Sequence, residues 1–437
     1  MTDCEVPYSP GQRAQWSSET AFVFSMTAAA VGLGNLWRFP YMVGENGGGA
    51  FIVAYLIALV LVALPIMMLE VATGRLAQVS AVGTFRNVNR FATYYGWFVV
   101  LLTIAITSYY LVVTGWTMGY AVSAFSMAVE PFDDFTGGYN SLWYFFAVTV
   151  LATVVLIRGV SAIEKFSKIL MPVLLLMVIG IVIFAAQMDG WEEAMSFIFV
   201  ADYSLLASPS IWLFAFGQAF YTLAIGQGYL VTYGSYIPHR TNVPRACLIV
   251  TATETSIALL AGLMIFPFVF TYGFDPGAGS QLAFETLPRV FDEMEHGGWL
   301  AMGFFSLFFA AAFSSCLAGL KVIIAAFSEE FRVGDSHAVL SVGCLMILLG
   351  VPSALSFSPL ELSVMGMPFL DFMDQFGGTN MVVTSGIIGT GLVCWFVPRP
   401  RIAQALGARS RWWDFKIYVI GRSLPFLAAA FILWNIL

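Results

Sequence analysis

Residues 31–51, VGLGNLWRFPYMVGENGGGAF, interrupt the first long apolar run of this chain and decide how the rest of it is read. Glycine inside a helix costs about 1 kcal/mol relative to alanine. Two glycines, Gly32 and Gly34, within three residues and followed by Asn35 therefore mark a helix that is not meant to be continuous. Five apolar runs later, the stretch GQAFYTLAIGQGYLVTYGSY (217–236) carries a second interruption, Gly226-Gln227-Gly228. Glycine pairs in membrane helices also serve close helix packing. Two breaks at matching places in two five-segment halves point instead to a pair of unwound helices.

The solvent around these helices follows from composition. Of 437 residues, 59% are hydrophobic and 10% charged, the mean hydropathy is +0.84, and a soluble domain carries about 25% charged residues. A span needs about 20 mostly apolar residues. Apolar runs bounded by glycine, proline or charge give eleven spans, roughly 20–43, 48–72, 93–126, 142–158, 166–187, 211–236, 246–273, 298–328, 337–355, 376–398 and 414–436. Asp3 and Glu5 stand where the basic segment of a cleavable signal would be, so the first run is expected to be a retained span. With the N-terminus inside, nearly all of the 19 Lys and Arg fall on one face. The exceptions are Arg289 in an outer loop and Arg38, Lys321 and Arg422 within spans. This asymmetry predicts a cytoplasmic N-terminus and, with an odd number of spans, an outer C-terminus. Acidic outer loops containing Asp133, Asp134, Glu192 and Glu193 read either as a solvated surface or as a cation-attracting vestibule. A net charge of -7 leaves no basic stripe for nucleic acid. Cys247, Cys316, Cys344 and Cys394, all in apolar runs, read as small buried hydrophobes.

The sequence has no GxxxxGK[ST], HExxH or GxSxG, so ATP hydrolysis, metalloprotease and serine-hydrolase chemistry have no support. Broken helices with inverted repeats are instead the plan of secondary transporters, whose free backbone groups at the midplane bind substrate and ions. Among the few intramembrane ionisable residues, Glu45, Glu70 and Arg422 read as capping or interfacial groups. Glu254 lies far from both ends of its span. A charge at that depth costs about 2.5–3.5 kcal/mol, so Glu254 needs a cation such as sodium among its ligands, or a proton of its own.

The run 31–51 resembles the first-span signature of the neurotransmitter:sodium symporter family. The resemblance extends from Arg13 and Trp16 through IRGVSAIEKFSKILMP (157–172), residues 217–236 and the Ser314-Ser315 pair to Asp374. It implies an all-α integral membrane transporter of one domain, with a leucine-transporter-type 5+5 inverted repeat and broken helices 1 and 6. The repeats would cover about 13–187 and 205–398, with an extra span at about 414–436. The implied function is sodium-coupled import of a neutral amino acid by alternating access, without enzymatic activity, in the plasma membrane. An amino-acid sensor that does not transport, and a proton-coupled carrier using Lys321 or Glu254, remain as alternatives.

The same resemblance assigns residues. A first sodium site would use Ala30, Asn35, Thr222 and Glu254, the last standing where the family usually has Asn or Asp. A second would use Ala28, Val31, Ala311, Ser314 and Ser315. Ala258 replaces a serine that helps hold chloride in animal members, so chloride is not expected. Substrate would lie against Ala30, Leu33, Gly34, Ile106, Tyr110, Tyr221, Thr222, Ala224, Gln227, Ser315 and Gly319, its carboxylate at the Leu33 and Gly34 N–H groups and Tyr110. Gly32, where monoamine carriers have aspartate, favours an amino acid over an amine. Gly319 stands in place of an isoleucine, which predicts an open wall. Gln227 stands in place of a phenylalanine, which predicts either a polar contact to a bulky or aromatic substrate or a bond to the neighbouring backbone. Arg38 and Asp374 would form an outer gate, and Arg13 and Glu329, beside Trp16, an inner one.

Overall fold

The computed structural model describes residues 15–125, 131–157, 160–238, 241–277, 279, 282–294, 297–407 and 411–436. Helices α1 (Glu19–Ala30) and α2 (Gly34–Glu45) are bent by 47° across the first break. They are followed by α3 (Gly49–Ala77), α4 (Ala81–Val88), α5 (Ala92–Phe125), α6 (Asn140–Leu156) and α7 (Val160–Ala185). The second half contains α8 (Trp191–Phe199), α9 (Pro209–Thr222), α10 (Tyr229–Gly234), α11 (Val243–Thr271), α12 (Leu282–Glu293), α13 (Gly297–Phe331), α14 (Asp335–Ala354), α15 (Phe369–Phe396), α16 (Arg399–Leu406) and α17 (Arg411–Ile436).

Each of the eleven expected segments is a helix or a broken pair. Among the described residues seven helices are long and apolar enough to cross a bilayer, and α1–α2 makes an eighth. The three other segments are α6, the broken pair α9–α10, and α17. Helices α5 and α13 are apolar all round and pack along each other through the middle of the bundle, with α1 and α10 against α13. The four short helices α4, α8, α12 and α16 are amphipathic connectors. Cys247, Cys316 and Cys394 are buried as expected, but Cys344 is exposed on the outer side of α14.

The breaks have local causes. Helix α1 starts where the Ser18 hydroxyl accepts the Ala21 N–H and stops at Val31, which is extended. The second break is longer, from 223 to 228, and three of its residues are left-handed: Ala224 at φ 54°, Gly226 at 73° and Gly228 at 76°. Glycine accepts that conformation freely. Alanine does so at a cost of about 1–2 kcal/mol, which the surrounding packing imposes.

Candidate functional site

The free backbone groups of the first break are met by side chains from distant helices. The Leu33 N–H donates to the Tyr110 hydroxyl of α5 at 2.8 Å, and the Gly32 N–H to the Asn35 side-chain oxygen at 3.3 Å. A methyl group at Gly32 would run into the Tyr110 and Ser315 hydroxyls. Even the smallest side chain is therefore excluded where monoamine carriers place aspartate.

Asn35 also gathers the expected first ion site. Its amide donates to the Glu254 carboxylate at 2.6 Å, to the Glu254 carbonyl at 3.2 Å and to the Thr222 hydroxyl at 3.4 Å. Thr222 donates to the same Glu254 oxygen, and Thr255 to the other at 3.2 Å. Glu254 is fully buried, so four hydrogen bonds to its two oxygens and carbonyl hold the longer acid where a shorter one was expected.

The residues of the second expected ion site also meet. Ser314 donates to the carbonyls of Ala28 at 2.7 Å and Ala311 at 2.8 Å. Ser315 donates to those of Ala29 at 3.0 Å and Val31 at 3.4 Å. The last carbonyls of α1, which lack helical partners because the helix ends, thus face a pair of α13 hydroxyls in an all-oxygen cluster.

Between the two clusters lies a small central cavity. Its lining includes nine of the eleven expected substrate contacts, from Ala30, Gly34 and Ile106 to Gln227 and Ser315. Leu33 and Gly319 are not part of the lining, whereas Ala29 and Tyr229 are. The wall expected to be open at Gly319 is filled: a methyl group there would meet the Tyr229 hydroxyl, the Thr107 Oγ1 at 2.7 Å and the Tyr229 Cζ at 3.2 Å. Sequence reading missed Tyr229 because it falls beyond the break, in the first turn of α10. The Gln227 amide, 3% exposed, reaches only the Tyr221 carbonyl, at 3.5 Å.

The cavity is shut on the α2 side. Arg38 Nε lies 3.4 Å from Asp374 Oδ2, and the guanidinium donates to Gln218 and Thr379 at 2.6 Å each while stacking over the Tyr221 ring at 4.6 Å. Tyr41 and Tyr109 donate to Asp374 at 2.8 Å. Both charges sit on π-helical turns, Gly34–Arg38 and Asp374–Met381, which re-aim side chains at functional sites. Gln218 ties this gate to the first break through the Gly34 carbonyl at 2.9 Å. At the opposite end Trp16, 2% exposed, donates to the Tyr233 carbonyl at 3.1 Å and packs on the rings of Tyr233 and Tyr236. Glu329 accepts the Ser80 N–H at 2.6 Å. Arg13 lies outside the described residues. Lys321 is part-exposed on α13 and does not line the cavity.

A sequence model of the sodium:neurotransmitter symporter family matches residues 13–142 and 134–435. The chain belongs to that family. An uncharacterized sodium-dependent transporter of Bacillus subtilis, YhdH, is 33% identical over 403 residues, covering 88% of this chain and 87% of that protein. A second, from Haemophilus influenzae, is 30% identical over 440 residues, covering 94% and 96%. Among solved structures, MhsT in complex with L-phenylalanine superposes with a TM-score of 0.90 at 32% identity, over 96% of this chain and 99% of that one. This protein is accordingly a sodium-dependent, membrane-spanning transporter with the leucine-transporter fold, and not an enzyme.

Proposed function

We propose that this symporter-family member imports a neutral amino acid with a bulky apolar or aromatic side chain, driven by two sodium ions and without chloride. The observation that carries this reading is the pairing of the Leu33 N–H with the Tyr110 hydroxyl beside a glycine that admits no side chain. A substrate carboxylate can replace that internal bond and accept both donors, and no acid at position 32 competes for the substrate amine. The phenylalanine bound by MhsT supports the substrate class. Asn35, Thr222 and Glu254 offer oxygens for the first ion, with the Ala30 carbonyl at the cavity edge. The ion takes over the Glu254 contacts now made by Thr222 and Asn35. Ala28, Val31, Ala311, Ser314 and Ser315 offer the second set, and oxygen ligands suit a hard monovalent cation. Glu254 carries beside the first ion the negative charge that chloride supplies elsewhere.

Loading then precedes closure, because the carboxylate touches the first ion and the Gly34 backbone is tied through Gln218 to Arg38 and Asp374. Each positive charge moved inward draws about 2.3 kcal/mol from 100 mV of membrane potential. On this reading the chain is one transport domain of two repeats, about 13–187 and 205–398, with an extra span at about 414–436. It lies in the plasma membrane with a cytoplasmic N-terminus and an outer C-terminus, and Arg13 and Glu329 form the inner gate. The test is uptake of labelled neutral amino acids into proteoliposomes under an inward sodium gradient. Uptake of phenylalanine that persists when gluconate replaces chloride and vanishes when potassium replaces sodium is expected. Uptake driven by a proton gradient alone would overturn the sodium coupling.

A further inference from the structure

The space above Gly319 and the ring of Tyr229 form one feature of the cavity. Gly319 sits on α13 one turn past Ser315, and Tyr229 starts α10 directly after the left-handed Gly228. The phenol of Tyr229 crosses from one helix to the other, puts its hydroxyl where a Gly319 side chain would stand, and presents its body to the cavity. Tyr229 is 7% exposed. The Thr107 Oγ1 of α5, fully buried, borders the same spot and faces the Tyr229 hydroxyl. The glycine therefore does not enlarge the cavity. It creates a socket, and the socket receives a side chain from the opposite wall.

We propose that Tyr229, seated in the Gly319 socket, is the specificity-determining end wall of the substrate pocket. It sets the upper size of the substrate side chain, so that the pocket accepts single-ring and branched aliphatic side chains and excludes the indole of tryptophan. This rests on the amino-acid-import reading above and narrows it. Three consequences follow from the contacts. Removing the ring opens the pocket toward Gly319. Filling the socket pushes the ring into the cavity. Doing both exchanges one wall for another.

The test is competition of labelled phenylalanine uptake by unlabelled tryptophan and leucine in proteoliposomes under an inward sodium gradient. The readout is the ratio of inhibition constants, in which a common loss of activity cancels. A hydrophobic pocket discriminates by about 10- to 200-fold for small differences in bulk. Tyr229→Ala is expected to move the tryptophan-to-phenylalanine ratio at least tenfold toward tryptophan. Gly319→Ala is expected to weaken phenylalanine at least tenfold relative to leucine, and Tyr229→Phe in the Gly319→Ala background is expected to restore most of that loss by removing the hydroxyl that the new methyl meets. If Tyr229→Ala supports no uptake, the Gly319→Ala pair with and without Tyr229→Phe decides the matter. Independent, additive effects at the two positions, or an unchanged tryptophan ratio in an active Tyr229→Ala, would overturn the end-wall assignment and leave amino-acid import standing. A wild-type protein that takes up no amino acid would overturn import itself, and this inference with it.

Discussion

The two broken helices solve one problem in different ways. At the first break the unpaired N–H groups are covered by Tyr110 and Asn35, side chains that also border the central cavity or the Glu254 cluster. At the second they are covered from outside the cavity. The Gly226 N–H donates to Glu70 at 2.9 Å, and Ser385 donates to the Gly226 carbonyl at 2.6 Å. Thr103 donates to the Gln227 carbonyl at 2.5 Å. The contrast separates a break whose bonds are exchangeable for ligand from one whose bonds belong to the scaffold. The first can lend its groups to substrate and sodium because Tyr110 and Asn35 can turn to a ligand. The second must keep its shape while α9 and α10 present Thr222, Ala224 and Gln227.

Breaking the scaffolded side should do the most damage. Gly226→Ala forces a left-handed alanine and drives its methyl to 2.6 Å from the Gly386 nitrogen and 2.9 Å from the Val382 carbonyl. The two costs, about 1–2 kcal/mol for conformation and about 1–3 kcal/mol for overpacking, predict a large fall in melting temperature in detergent. Gly34→Ala is the control at the other break. Its methyl would lie 3.4 Å from the Tyr221 ring, an ordinary contact, so stability should change little. Glu70→Ala comes next: it leaves the Gly226 N–H buried without a partner, worth about 1–3 kcal/mol. Most of that should return in Glu70→Gln, which keeps an acceptor.

The exchangeable side should respond in function more than in stability. Glu254→Ala is expected to weaken sodium and substrate together, because its cluster and the cavity share Thr222. Tyr110→Phe should raise the KM for phenylalanine about tenfold, the effect of losing a contact of about 1.4 kcal/mol. It also takes the acceptor from the Leu33 N–H, but at the cavity wall, where water can replace it, so the melting temperature should fall less than in Glu70→Ala. The smallest expected effect is that of Ser314→Ala. It should shift the sodium dependence of uptake several-fold and leave the substrate preference alone, since Ser314 binds only carbonyls and does not line the cavity. Equal losses of stability at both breaks would erase the distinction between them.

The parts of this molecule written locally were legible from sequence. Glycine pairs marked both breaks, apolar runs marked all eleven helical segments, and the residues 31–51 pattern led to the family to which the chain belongs. Of the eleven positions expected at the substrate, nine line the central cavity; Leu33 and Gly319 do not, and Ala29 and Tyr229 line it unexpectedly. What escaped depends on contacts between distant positions. Nothing in the local sequence around Gly319 shows that a tyrosine 90 positions earlier would fill its socket. Glu70 read as a capping or interfacial group because the partner that explains its burial is a backbone N–H of another span. Arg38 was expected beside Asp374, but the hydroxyls of Tyr41 and Tyr109 that complete the ring were hidden for the same reason: the ring is assembled from three separate spans. Sequence periodicity specifies which face a residue occupies, whereas such partnerships are set by helix packing.

Amide hydrogen exchange distinguishes a first break that trades its internal bonds for ligand from a second that keeps them. The measurement compares peptides covering residues 31–36 and 223–228 of the wild-type protein in potassium, in sodium, and in sodium with phenylalanine. Exchange in 31–36 is predicted to slow by tenfold or more on adding sodium and phenylalanine together, with 223–228 slow throughout and unchanged. Protection that develops at 223–228 instead, or equally at both breaks, would contradict the account.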